Sequence, residues 1–308
     1  MNDPAPLAAS PALRTTAARQ VHRRALLTLI ACTFLWSTAG VATRFLDRAE
    51  GFEIAFWRSI FCALTVVATM IALHRGQWVE RSLSAGWAGW LSGLMWAVMF
   101  TCFMLALSFT TVANVLVVLA AGPLLAALLG MALLREAVAP RTWLAIALAS
   151  IGLLWMVREG LSGDGILGMA VAFGVPVASA LNLVLLRRTG ARVDLLPAVL
   201  IGALISVAVT LPLAWPLSAS ARDLAILAAL GCFQLALPCM LMVRAAMFLA
   251  PHEIALLGLL EVVLGPLWTA LFAGERPGLA TLEGGALVLV ALALNELLAQ
   301  RERRRQLG

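Results

Sequence analysis

The sequence predicts an all-α integral membrane protein whose ten transmembrane helices form two inverted five-helix repeats. The first observation is composition: 62% of residues are hydrophobic, 12% are charged, and the mean hydropathy is +0.98. That balance lies far from a soluble domain's. The second is a series of ten apolar runs with short polar breaks, at 25–46, 52–73, 84–108, 111–134, 141–157, 165–186, 195–215, 223–247, 252–273 and 279–298. A bilayer core takes about 20 apolar residues per helix, because backbone N–H and C=O groups cannot stay unpaired in lipid. The third is that five runs lie on each side of the turn at 159–165, where Gly160, Gly163 and Gly165 mark a break.

The arginines set the orientation. All 22 basic residues are Arg. With the N-terminus inside, the cytoplasmic segments hold fifteen of them, among them Arg23, Arg24, Arg141, Arg187 and Arg301. The outer segments hold Arg48, Arg158, Arg222 and Arg276, with Arg44 near that border. This positive-inside bias predicts two cytoplasmic termini and an even number of spans. The net charge of +6 then reports topology, and no nucleic-acid partner is expected. Paired arginines and the 301–305 tail read as topology anchors, with anionic lipid headgroups as the other reading.

The expected organisation is a disordered cytoplasmic N-terminus at 1–24, a first repeat at 25–158, a second at 165–298 and a basic cytoplasmic tail at 299–308. An odd number of spans per half inverts the second half. A shift of 139 residues lays 123–143 on 262–282, matching Glu136 with Glu275 and Thr142 with Thr281. Both stretches share a Pro-bearing helix, a loop Glu, a Pro and a small-residue-rich helix. Inverted repeats place a transporter's site near the midplane between the halves.

Several polar residues fall at depth. Glu261 lies about 14 Å along its helix, near the midplane, where a carboxylate is costly unless protonated, paired or wet. It is read as a proton-coupling group or counter-ion to a cationic substrate, or as a structural Glu. Arg58, roughly 9 Å below the interface, would bind an anionic substrate group, or pair with Glu53 or a helix end. Trp36, Ser37 and Thr38 in the first span and Trp96 in the third offer aromatic and hydroxyl groups for a cavity wall, or merely pack. Trp268 shares the Glu261 face. Asn114, Asn182 and Gln234 are amides that line a cavity or bridge helices. Pro123 and Pro266 each follow a Gly and are candidate hinges, since proline removes a helical hydrogen bond. Glu253 would cap the ninth helix. The five cysteines are scattered among the spans with no metal-ligand spacing, and no metal or cofactor is expected. Hydrolase, zincin and phosphate-loop motifs are absent.

The motifs "FLWSTAGVATRFL" (34–46), "FWR" (56–58), "LLREAVAPRTW" (133–143), "LLGLLEVVLGPLWTALFAGERP" (256–277) and "EGGALVLVALAL" (283–294) resemble the drug/metabolite transporter superfamily, in its ten-helix EamA branch. The likeness covers 25–298. It implies a secondary transporter, mostly an exporter, for a small molecule such as an amino acid or a drug-like compound, with protons a candidate coupling ion. Many relatives carry a proline directly after the glutamate of the ninth span. Here Val262 stands there and Pro266 follows one turn later, which displaces the expected bend. The expected location is a bacterial cell (inner) membrane, multi-pass. A membrane-embedded enzyme, or a sensor or scaffold without transport activity, is the alternative. The topology has a direct test: a reporter fused after Gly308 should be active in the cytoplasm, and one in the 159–165 turn should report from outside. A cytoplasmic signal from that turn would overturn the five-plus-five arrangement.

Overall fold

The computed structural model describes residues 11–49, 51–74, 78–110, 115, 118–119, 121–158, 165–190, 196–272, 274 and 278–305. The helices are α1 (Pro11–Ser37), α2 (Gly51–His74), α3 (Gly86–Phe109), α4 (Gly122–Leu134), α5 (Pro140–Val157), α6 (Ile166–Thr189), α7 (Leu196–Ala214), α8 (Ala221–Ala245), α9 (Pro251–Phe272) and α10 (Leu279–Arg305). Among the described residues, eight helical stretches are long and apolar enough to cross a membrane, and α4 and α5 are shorter apolar helices. No strand occurs among the described residues. The expected break between the halves is present: Gly165, at φ 104°, starts α6 in a left-handed conformation that favours glycine.

Three boundaries differ from the sequence-based expectation. α1 begins at Pro11, so the segment expected to be disordered is helical from there to residue 24. Its alanines and arginines are strong helix formers, which explains the extension past the apolar run. By the same logic α10 continues into the basic tail as far as Arg305. Pro123 sits at the first turn of the Gly122–Leu129 helix rather than inside a longer one. Its missing N–H is one that a helix start leaves unused in any case.

The packing has the symmetry of two repeats. α5 packs on α10, α2 on α7 and α4 on α9, each the counterpart of the other. The remaining main contacts come in matched pairs: α1 with α8 and α6 with α3, α1 with α9 and α6 with α4, α2 with α8 and α7 with α3. Exchanging the halves leaves the pattern unchanged, which the weak sequence match alone could not establish.

Glycines permit the closest crossings. A Cβ on Gly231 of α8 would lie 2.8 Å from the carbonyl oxygen of Arg58 in α2 and would strike Phe61. Its counterpart in α3, Gly93, meets Ile201 and the Ala198 carbonyl of α7. Gly152 of α5 sits against the Gly284 backbone of α10. Close backbone approach of this kind replaces the missing hydrophobic drive between helices in lipid. Polar bridges add to it: Ser92 of α3 donates to Asn182 of α6 at 2.7 Å, and Ser59 of α2 donates to Ser206 of α7 at 3.0 Å.

Two carboxylates tie the halves together at the end opposite the chain termini. Asp223, at the start of α8, accepts backbone N–H bonds from Asp47, Arg48, Ala49 and Ser220. Glu53, in the first turn of α2, accepts from the backbone of Ser218 and Ala219, from the Ser218 hydroxyl and from Trp57 Nε1. Each half thus caps a loop of the other. Glu53 is committed to this clamp and does not pair with Arg58. The glycine crossings give a stability prediction. Gly231→Val should destabilise the protein by about 1–3 kcal/mol through overpacking against backbone. Gly40→Ala, with open space around the new Cβ, should be near neutral. Equal melting temperatures for the two variants would refute the close crossing.

Candidate functional site

Most of the residues singled out at depth converge where α1, α2, α8 and α9 meet. The site starts from a break in α1. The hydroxyls of Ser37 and Thr38 donate to the carbonyls of Phe34 and Leu35, each at 2.7 Å. Such back-bonding bends helices, and α1 stops at Ser37 before a short turn of helix, Ala39–Thr43, resumes.

α8 carries a second irregularity. Its middle, Leu230–Ala236, is π-helical, and Gln234 lies within that stretch. Pro238 has no N–H to offer the Gln234 carbonyl and its ring crowds that carbonyl, which gives the wider turn a local cause. Single π turns recur at functional sites because they re-aim a side chain. Here the buried Gln234 amide reaches both ways. Its Nε2 donates to the Trp36 carbonyl at 3.0 Å, and its Oε1 accepts from Arg58 Nη2 at 2.8 Å. Gln234 therefore joins the α1 break to the Arg58 guanidinium of α2.

α9 closes the cluster. Trp268 Nε1 donates to Ser37 Oγ at 2.8 Å, and its ring packs edge-on against Phe34 with centroids 5.1 Å apart. Glu261, half-buried, interacts electrostatically with Arg58. Their depths agree. Arg58 lies about 10 Å from the start of α2 and Glu261 about 15 Å from the start of α9, at opposite faces of a core about 30 Å thick. The two levels therefore differ by about 5 Å. Among the described residues no hydrogen-bond partner meets the Glu261 carboxyl. Arg58 Nε is buried without a partner. The two groups thus lie within electrostatic reach of each other, and each keeps unused hydrogen-bonding capacity. Pro266 lies inside the unbroken helix α9, between Glu261 and Trp268.

An apolar groove of about 460 Å³ runs between α1 and α8, lined by Leu35, Ala42, Phe45 and Phe233, with Thr38 and Gln234 as its polar residues. Trp96 stands apart from the network. It is buried in the α3–α7 crossing against Gly202, and its Nε1 has no partner. Packing explains Trp96 better than cavity lining does. Asn114 lies outside the described residues. Asn182 bridges helices, as one of its two sequence readings had it. Glu253 caps α9 by accepting from the Ala250 N–H at 3.0 Å. The Asp223–Glu53 clamp went unread in the sequence, because backbone N–H groups are its partners and leave no residue signature.

The five cysteines are free, and no cluster of His, Cys, Asp or Glu able to hold a metal occurs among the described residues. No curated protein matches the chain. Of the solved structures that match, one described only as a crystal structure of a protein shares 20% identity at a TM-score of 0.75, over 93% of this chain and 99% of that one. It shows that the fold exists as a whole in another protein. The model of the EamA-like transporter family matches twice, at residues 23–158 and 166–297, with its two copies meeting at the glycine turn that divides the symmetric halves. The chain is therefore a member of the EamA-like transporter family, a multi-pass membrane transporter of the drug/metabolite transporter superfamily built from two inverted five-helix repeats.

Proposed function

We propose that the protein is a secondary transporter that exports a small zwitterionic metabolite of the amino-acid kind, by alternating access between its two halves and with proton coupling at Glu261. The observation that carries this reading is the Arg58–Glu261 pair. A lone intramembrane cation would select an anion, and a lone carboxylate would select a cation or a proton. Two groups of opposite charge with unused capacity, on different helices within electrostatic reach, suit a ligand bearing both a carboxylate and an ammonium group. Trp268, edge-on against Phe34, supplies an aromatic face, and Ser37, Thr38 and Gln234 the few polar groups such pockets use. The arginine distribution supports two cytoplasmic termini in a bacterial inner membrane.

In this mechanism Arg58 holds the substrate carboxylate and Gln234 holds Arg58 in place. Glu261 binds the ammonium group when ionised and a proton when the substrate has left, so one site serves substrate and proton in turn. Pro266, inside α9, acts as a hinge where it removes a helical hydrogen bond, and Pro123, at the first turn of the paired helix α4, marks the end about which α4 swings.

Proteoliposomes carrying the full chain test the reading with each of the twenty protein L-amino acids, with and without a pH gradient. At least one should accumulate in a gradient-dependent way, and transport of none would refute the zwitterion class. Glu261→Gln should abolish gradient-driven accumulation and leave exchange measurable. Full gradient-driven transport by that variant would remove Glu261 from the mechanism. Arg58→Gln loses hydrogen bonds to a charged group worth about 1.5–3 kcal/mol, so affinity should fall roughly tenfold to more than a hundredfold.

The hinge assignment has its own test. Pro123→Ala and Pro266→Ala should each slow turnover severalfold while membrane insertion stays normal. Unchanged turnover in both would mean that the prolines only aid packing.

A further inference from the structure

At the end of the bundle that carries both chain termini, a second cavity of about 380 Å³ lies well away from the α1–α8 groove. α1, α6, α9, α10 and the α4–α5 loop all line it. Unlike the groove it is rich in charge. Arg187 of α6 pairs with Glu136 of the α4–α5 loop through Nε and Oε1 at 3.1 Å, and donates to the Met247 carbonyl at 2.7 Å. Arg141 pairs with Glu302 beyond the rim. Thr142 of α5 donates to Asn295 of α10 at 3.1 Å.

After these bonds are made, three buried polar atoms of the cavity lining remain without a partner: His252 Nδ1, Glu136 Oε2 and Arg141 Nε. They form one group, since His252 interacts electrostatically with both Glu136 and Arg141. His252 is only 8% exposed, so its imidazole is not a solvated surface group. Buried polar atoms left unsatisfied cost about 1–3 kcal/mol each, and three such atoms on residues that line one cavity point to an occupant.

We propose that this cavity is a second, loading site for the transported zwitterion; the assignment rests on the zwitterionic reading of the midplane site. The chemistry repeats that of Arg58 and Glu261. Arg141 Nε is a cationic donor for a carboxylate, Glu136 Oε2 an anionic acceptor for an ammonium group, and His252 Nδ1 a third polar contact. A simple anion would meet Glu136, and a simple cation would meet Arg141. The volume lies within the range of small-ligand pockets, about 300–1,000 Å³. The inner lining on α9 ends at Leu256 and Leu257. Leu257 is one helical turn before Glu261, so the inner end of the cavity lies one turn along α9 from the midplane pair. Water is the rival occupant, at about 30 Å³ per molecule.

Equilibrium dialysis of the full chain in nanodiscs measures the number of radiolabelled amino-acid molecules bound, with each of the twenty protein L-amino acids as the probe. Wild type should bind two molecules of a transported amino acid per chain. His252→Ala should bind one. Arg58→Gln should also bind one, and the double variant none. Glu136→Gln keeps the size and the acceptor facing Arg187, so it guards against a folding defect in His252→Ala. It should weaken the loading site at least tenfold without altering the midplane site. One molecule bound to wild type, lost in Arg58→Gln and untouched by His252→Ala, would overturn the loading site and leave the proposed function intact. One molecule lost in His252→Ala and untouched by Arg58→Gln would keep the cavity and overturn the midplane reading. No binding of any probe would overturn both.

Discussion

The close crossing of α2 and α8 at Gly231 is the contact on which the candidate site depends. Any side chain at that position would strike Phe61 and the Arg58 carbonyl. The missing Cβ lets the α8 backbone approach within one turn of Arg58. That approach brings Gln234 to the guanidinium at 2.8 Å. In lipid an arginine cannot be left without donors' partners, and a neutral amide answers the need without cancelling the charge. A carboxylate at position 234 would neutralise Arg58 and leave nothing for a substrate anion. The amide fixes the guanidinium and preserves its field, while the opposing charge stands on a different helix, α9, where it stays available.

The two ends of the bundle are held by different physics. At the end away from the termini, Asp223 and Glu53 bond to backbone N–H groups of the opposite half. Such bonds are directional and leave little play. At the end with the termini, the halves meet through longer side chains, with Arg187 spanning from Glu136 to the Met247 carbonyl around a cavity. Side-chain pairs can re-form in more than one geometry, whereas a carboxylate capping consecutive N–H groups must be either engaged or released. Under the proposed alternating access, these ends would make one stiff closure and one adaptable closure, although the helix packing itself is symmetric.

How much of this was legible in the sequence follows from range. Membrane depth is a local property, a count of residues from a helix start, and it places Glu261 and Arg58 at similar levels. The ten spans and the break at Gly165 were local as well. The irregular turns were not. Pro238 is visible as a residue and gives the π-helical stretch its local cause, but the partners at which that stretch aims Gln234 stand on α1 and α2. Pro123 was expected inside a helix and instead opens one, because a proline pattern does not say where the preceding residues stop being helical. The clamp of Asp223 and Glu53 was invisible for a stronger reason. Its partners are backbone groups about 170 residues away in sequence, and any residue type could supply them.

The inverted repeat itself explains why the polar residues sit where they do. Counterpart positions share a backbone frame, as Gly93 and Gly231 show by making the same close crossing in the two halves. At nearly the same offset, Gln234 of α8 corresponds to Trp96 of α3. One half places a bulky apolar ring there, buried against Gly202. The other half places an amide in a widened turn and links it to an arginine. Duplicate frames make alternate access geometrically cheap, since either half can adopt the other's tilt. A single ligand site, however, cannot be two-fold symmetric unless its ligand is. A zwitterion is not, having one positive and one negative end. On the proposed zwitterionic reading, the departure from symmetry at Trp96 and Gln234, inside an otherwise symmetric bundle, suits a polar ligand with distinct ends.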